Sequence, residues 1–297
     1  MRIVKDAARV KVPASSGNLG PGFDSMGMAH DVWDEVSATL TTGASRVVIL
    51  GEGNQTLPKD ESHLIVKTMH ETLERLGAPT PGVDLVCRNN IPHGKGMGSS
   101  AAALTAGVML VRELLGAPEA FTKEEVLNIV AGYEGHPDNA APAIYGGATV
   151  SWREGEGYKT AQLPVLKSVK TTLLVPDEVL LTTTARGVLP EKVPLVDAAF
   201  NASRSALMVY ALTQDPELLF AATEDRLHQQ YRAESMAHTA AVLAALREAG
   251  WPAIVSGAGP SILVFAEIDP AMANILAQQG FRTVDSQQVQ GAHAIEV

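Results

Sequence analysis

Cysteine is almost missing from this chain. A single thiol, Cys87, among 297 residues excludes an intrachain disulfide and any Cys-based zinc cluster. It also points to a reducing compartment. No uncharged apolar run approaches the roughly 20 residues a membrane span needs. The opening stretch, MRIVKDAARVKVPASSGN, lacks the apolar core of a signal peptide. Basic charge is short as well. With 23 Lys and Arg against 33 Asp and Glu, the net charge of -10 argues against nucleic acid or an anionic membrane as the main partner. An anionic small ligand stays open, because a local site can be positive on an acidic protein. No histidine pair has zinc-ligand spacing. There is no internal repeat and no low-complexity segment. A soluble, cytoplasmic protein is expected.

What is present is globular. A hydrophobic fraction of 46% against 19% charged residues is enough to bury a sizeable core. The length fits two domains or one large one. Strands are expected at Val10–Val12, Arg46–Leu50, Val83–Arg88, Ala148–Trp152, Thr171–Val175, Ala253–Val255 and Ser261–Phe265. Leu64, Ile65, Met69, Leu73 and Leu76 recur at helical spacing before Gly77. The Ala-rich stretch from Ser100 to Leu115 predicts the longest helix, ending at Gly116. Thr122 and Glu125 form a capping box for a helix to about Tyr133. Further helices are expected near Leu195–Leu212, Glu217–Gln230 and Glu234–Ala249. The polar REGEGYK segment, 153–159, reads as a boundary between residues 1–155 and 156–297. Mixed elements in both halves indicate α+β or α/β.

Four segments carry more glycine and polar side chains than turns require. IPHGKGMGSSAAA holds Gly94, Gly96 and Gly98 between a strand and a helix. Glycine permits left-handed backbone and close approach, and the helix start supplies unpaired N–H groups, so phosphates fit here. The spacing matches neither a Walker A loop nor a dinucleotide fingerprint. Lys95 can reach a phosphate or stand in solvent. Ser99 and Ser100 sit where a cap belongs, which leaves one hydroxyl for a metal or phosphate oxygen. PASSGNLGPGFD has one glycine more than a turn needs and carries Asn18 and Asp24, the latter a ligand group or an Asx-turn carboxylate. In YEGHPDNAAPAIYGG, Glu134, His136, Asp138 and Asn139 fit metal binding or acid–base work, and equally a polar turn. Glu134 could join a Mg²⁺ site, which commonly takes one or two protein carboxylates. SGAGPS, at 256–261, is a turn with two hydroxyls.

The order and approximate spacing of PASSGNLGPGFD, IPHGKGMGSSAAA and SGAGPS resemble the three motifs of the GHMP small-molecule kinases. The resemblance runs from Pro13 to Ser261. The first motif and GHPDNAAPAIYGG resemble the homoserine-kinase branch of that family. The resemblance implies an α+β, two-domain fold, with a ribosomal-S5-domain-2-like N-terminal half and a ferredoxin-like C-terminal half. A ferredoxin-like half has exposed surfaces suited to a homodimer. ATP would lie between the halves, with its phosphates on Pro92, His93, Gly94, Lys95, Gly96, Met97, Gly98, Ser99, Ser100, Ala101 and Ala102. Ser100 and Glu134 would hold Mg²⁺. L-homoserine would meet Arg186 and Arg232 with its carboxylate and Asp24 with its ammonium. Asn18, His136, Asn139 and Thr182 would lie near the amino acid or its hydroxyl. The implied reaction is phosphorylation of that hydroxyl, a step towards threonine. Two departures stand out. SSGN has no lysine where some relatives carry one beside a catalytic aspartate, and Met97 stands where leucine is common. Asp138 aligns with that aspartate only roughly. Catalysis is therefore expected mainly from positioning, with Asn139 polarising the hydroxyl.

Overall fold

A computed structural model describes residues 1–116, 121–180 and 182–296, with the side chain of Thr182 outside the description. Two sheets organise the chain. The first takes β1 (Ala7–Gly17), β2 (Met26–Thr41), β3 (Arg46–Gly51), β4 (Gly82–Asn89), β5 (Ala148–Glu154), β6 (Gly157–Leu163) and β11 (His293–Ala294). Its order is β11-β1-β2-β4-β3, with β5 and β6 continuing from the other end of β2. The second is β10 (Phe281–Ser286), β7 (Thr171–Pro176), β9 (Ile262–Val264) and β8 (Ala253–Val255), in that order.

The 16-residue β2 makes this layout possible. Its first residues, Met26–Met28, pair with β5, and Glu35–Thr41 pair with β4, while β1 runs along nearly all of it. The register shifts between Pro13 and Ala14, where β2 carries the extra residues Asp31 and Val32 opposite consecutive residues of β1, the mark of a bulge in β2. β2 is buried on both faces over its first five residues. That stretch therefore has no polar–apolar alternation, and the strand is invisible to periodicity.

Helices pack behind the first sheet: α1 (Leu64–Arg75), α2 (Ser99–Leu115), α3 (Lys123–Glu134) and α4 (Ala140–Tyr145). α2 buries twelve of its residues, including Leu104, Val108, Leu110 and Leu114. Its alanines and Gly107 allow close packing on α1 and β1; a Cβ on Gly107 would press on Thr68. Gly116 closes α2 in the left-handed conformation. The Thr122–Glu125 capping box opens α3.

The second half carries α5 (Thr182–Gly187), α6 (Leu195–Thr213), α7 (Leu219–Ala222), α8 (Gln229–Arg232), α9 (Ala237–Glu248) and α10 (Pro270–Gln278). Three expectations change here. The single helix expected over 217–230 is broken into a 3-10 turn at Pro216–Leu218, α7 and α8. The cause is Asp225, whose carboxylate accepts from the amides of Leu227, His228 and Gln229 at 2.9, 3.1 and 2.8 Å, replacing helical bonds. The helix expected from Glu234 starts as a 3-10 turn and becomes α9 only at Ala237. Residues 153–159 form the hairpin between β5 and β6, with Glu154 opposite Gly157. The first sheet thus runs past residue 155, and β11 returns to it from the far end of the chain. Among the described residues no helix is long and apolar enough to cross a membrane.

Candidate active site

Three loops meet between the two sheets, held by backbone bonds. Ser15 N donates to Met97 O at 3.1 Å, Ser261 N to Lys95 O at 3.3 Å, and Gly257 N to Gly17 O at 3.3 Å. The Asn18 amide donates to Gly257 O at 2.9 Å. Gly94, Gly96 and Gly98 all have positive φ, 64°, 72° and 68°. A Cβ on Gly96 would strike the carbonyls of Ser256 and Gly259, and one on Gly98 would strike Ser15. These glycines therefore serve loop-on-loop contact as well as backbone conformation. The amides of Gly96, Met97, Gly98, Ser99 and Ser100 find no acceptor among the described residues. They form a positive concavity at the start of α2. Gly98, not a serine, is the N-cap of α2 and makes no side-chain cap bond. Ser99 and Ser100 thus need not cap.

The cleft beside this cradle has a volume of about 450 Å³. It brings together Asn18, Asp24, Ser99, Ser100 and Glu134 with His136, Asp138, Asn139, Arg186 and Arg232. Gly94, Gly96, Met97 and Gly98 line it too. Several residues of the glycine segment lie elsewhere. Lys95 sends its ammonium to Pro176 O at 2.7 Å, and with His93 it lines a separate, open pocket of about 940 Å³. Pro92, Ala101 and Ala102 are buried. The side chain of Thr182 lies outside the described residues.

Glycines also seat the acidic segment. A Cβ on Gly17 would strike the Asp138 carboxylate, and one on Gly27 the Asp138 carbonyl. Asp138 is 1% exposed. Its Oδ2 accepts from Asn18 N at 3.0 Å, and its Oδ1 meets His136 Nδ1 at 2.6 Å. Burial lowers the His136 pKa, but Asp138, Glu134 and Asp24 outweigh it, so the net shift is upward. Asn139 accepts from the Ser15 hydroxyl at 3.1 Å. Facing atoms of Asp24, His136 and Asp138 all lie within 4.8 Å of one another.

Glu134 ends α3. Its Oε2 is buried without a hydrogen-bond partner. Burial pushes its carboxyl up to about 7, partly opposed by His136 and by the neighbouring Ser100 hydroxyl. A divalent cation that prefers oxygen ligands fits this pair, because it would supply the missing partner.

At the other end, Arg186 grips Asp24 with both terminal nitrogens, at 2.7 and 3.2 Å. That pairing raises the Arg186 pKa. Asp24 has a φ of 54°, and its amide donates to Asn18 Oδ1 at 3.0 Å. Arg232 is 2% exposed. Its Nε donates to Ala185 O at 3.1 Å, and its Nη1 reaches Gly257 O and His228 Nδ1 at 3.2 and 3.0 Å. Both guanidinium groups lie over Phe23, 5.7 and 5.9 Å from the ring centre. Sequence reasoning missed Phe23, Ser15 and Tyr133, which lines the cleft and bonds to Glu71. Phe23 and Ser15 lay inside the first motif. Nothing local marked Tyr133.

An anion cradle at a helix start, a carboxylate–hydroxyl pair suited to Mg²⁺ and a charged clamp in one cleft describe a small-molecule phosphotransferase. The chain belongs to the GHMP kinase family. Residues 63–147 match the GHMP kinases N terminal domain, and residues 207–279 match GHMP kinases C terminal. Homoserine kinase of Streptomyces coelicolor is 45% identical over 266 residues, which cover 89% of this chain and 86% of that one. Homoserine kinase of Leifsonia xyli subsp. xyli is 48% identical, covering 91% and 85%. The crystal structure of homoserine kinase from Cytophaga hutchinsonii superposes with a TM-score of 0.85 at 27% identity, covering 98% of each chain.

Proposed function

We propose that this chain transfers the γ-phosphoryl group of ATP to the side-chain hydroxyl of L-homoserine, giving O-phospho-L-homoserine and ADP, a step towards threonine. The observation that carries this is one cleft with an anion cradle at one end and a fixed pair of opposite charges at the other. The relatives named above support the choice of amino acid.

The phosphates would lie on the free amides between Gly94 and Ser100. The adjoining cavity of about 250 Å³ would take the purine; Leu57, Pro58, Ile65 and Ala106 line it beside Ser99 and Ser100. Ser100 and Glu134 would hold Mg²⁺, which when bound neutralises charge on the phosphates. The substrate carboxylate would bind Arg186 and Arg232, whose planar groups suit it. Its ammonium would bind Asp24 beside Asp138. Substrate thus exchanges the Arg186–Asp24 pair for two intermolecular ones. A ligand with a carboxylate and no ammonium would strand Asp24.

Asn139 would orient the hydroxyl, with Asn18 and His136 around it. Both oxygens of Asp138 are engaged, one by His136 and one by Asn18 N. Asp138 therefore acts by positioning rather than as a free base. Phosphoryl transfer has a loose transition state, so alignment and charge neutralisation dominate. The glycine loop, Ser100 and Glu134 supply the phosphate and metal side, and Arg186 and Arg232 supply the clamp.

The test is ADP release with Mg-ATP, comparing L-homoserine with D-homoserine, L-serine, mevalonate and shikimate, with the product identified by mass. Turnover confined to L-homoserine is expected. Turnover of mevalonate would discard the roles of Asp24 and the arginines. Asp24→Asn should cripple homoserine use far more than ATP binding; equal loss of both would sink the ammonium assignment.

A further inference from the structure

A buried chain of side chains, none of them a ligand contact, ends on the phosphate cradle. His30, on β2, is fully buried. Its Nδ1 lies 2.8 Å from Ser286 Oγ at the end of β10, in the second sheet. Its Nε2 lies 2.7 Å from Ser16 Oγ on β1. Ser16 Oγ lies 2.6 Å from Ser256 Oγ, and the Ser256 hydroxyl donates to Gly96 O at 2.6 Å. Ser16 and Ser256 are 0% exposed, and Ser286 is 5% exposed.

Counting protons fixes the direction of every bond. Gly96 O can only accept, so Ser256 spends its one proton there. Ser256 Oγ must then accept from Ser16. Ser16, its proton spent, must accept from His30, so Nε2 carries the hydrogen. In a neutral imidazole Nδ1 is then an acceptor, and the Ser286 hydroxyl donates to it. Burial agrees, holding the His30 pKa down at about 3. A chain of aligned hydrogen bonds is self-reinforcing. Its end matters for the cradle. The peptide plane of Gly96 and Met97 is rigid, so tying Gly96 O to Ser256 turns the Met97 N–H to the opposite side. Met97 N has no acceptor among the described residues.

We propose that His30 is a positioning residue for the phosphate cradle. It acts through Ser16 and Ser256 to lock the Gly96–Met97 peptide, and it ties that lock to the second sheet through Ser286. This rests on the reading of the glycine loop as the ATP-phosphate site. The role differs from simple core filling, since an apolar side chain of equal size would break the relay.

Two measurements test it. In the wild-type protein, ¹⁵N NMR of the histidines, with the His30 signals identified by their loss in His30→Asn, should show His30 as a neutral ring protonated at Nε2 across pH 5–8. His228, held by Gly20 O and Arg232, should give a second such ring. A His30 ring that is cationic, or protonated at Nδ1, would overturn the relay. In the second, binding of a non-hydrolysable ATP analogue is compared for His30→Asn, His30→Gln, Ser256→Ala and the His30→Asn/Ser256→Ala double variant. His30→Asn should weaken binding by roughly 3- to 10-fold, the worth of one buried hydrogen bond. The homoserine KM should stay within about twofold. His30→Gln, whose amide nitrogen can stand where Nε2 stood, should recover most of the loss. The double variant should be no worse than the worse single variant, because both cut one chain. Additive losses, or normal nucleotide binding in folded His30→Asn, would reject the inference. Absence of nucleotide binding in the wild type would instead reject the ATP reading itself.

Discussion

Arg186 and Arg232 bring the same charge to one cleft but are held differently. The Arg186 side chain is 42% exposed, and its ion pair among the described residues is with Asp24, so the pair adds little stability. Arg232 is buried and holds two carbonyls and His228. Arg186→Ala should therefore change unfolding free energy by less than about 1 kcal/mol. It should raise the homoserine KM by roughly 10- to 100-fold, the worth of a charged bidentate contact. Arg232→Ala should cost about 3 kcal/mol or more, since it opens a cavity and strands buried acceptors. Urea unfolding beside substrate titration separates the two, and equal destabilisation would contradict this division. The same contrast explains what sequence could tell. Asn18, Asp24 and His136–Asn139 stood out because glycine and proline surround them. Arg232 sits in HQQYR, which reads as an exposed helical turn, and His30 sits in an apolar run. The family resemblance, and not its local pattern, picks out Arg232. Its carbonyl partners Ala185 and Gly257, like Ser286 for His30, lie far along the chain, where only the fold shows them.

Among elements, β2 does most to aim the glycine loop. Asp34 Oδ1 accepts from Asn90 N at 2.7 Å and Ile91 N at 2.9 Å, where β4 leaves the sheet. Burial raises the Asp34 pKa from 3.8 to about 6, against the pull of those amides. Between those values the folded chain holds a proton that the unfolded chain has lost. Asp34 therefore costs stability as pH rises from 3.8 to 6, and the cost is constant above that. Its full size is about 3 kcal/mol. Asp34→Asn keeps an acceptor for the amides and removes the charge, so the variant should gain on wild type across that window. Urea midpoints from about pH 4 to 7 would show it; a difference that does not vary with pH would refute it. Local signals placed the elements that they control. The capping box set α3, and Gly116 set the end of α2. They failed where a distant or unusual partner decides. Asp225 breaks an apparently continuous helix, and β2 shows no alternation where both its faces are covered.

At the scale of the molecule, the far end of the chain closes the half that contains the phosphate loop. β11 pairs with β1 at Val10 and Lys11. Gly147 N donates to Val289 O at 2.8 Å, Ala292 N to Ala143 O at 2.7 Å, and Ile295 N to Arg9 O at 2.9 Å. Residues 289–295 therefore strap α4, the helix that begins immediately after Asp138 and Asn139. Gly291 makes the strap possible: a Cβ there would strike the Ile144 carbonyl, which is backbone and cannot turn aside. Gly291→Ala must lift the strap or shift α4. It should destabilise by roughly 2 kcal/mol or more. Homoserine turnover should fall more than ATP affinity, because the displaced helix carries the hydroxyl end of the site. Gly132→Ala provides the contrast. Gly132 lies inside α3 with open space at its Cβ position, so alanine should be neutral or stabilising by up to about 1 kcal/mol. Denaturation and steady-state kinetics on both variants decide the matter. A Gly291→Ala protein with wild-type stability and turnover would mean that the strap covers α4 without holding it.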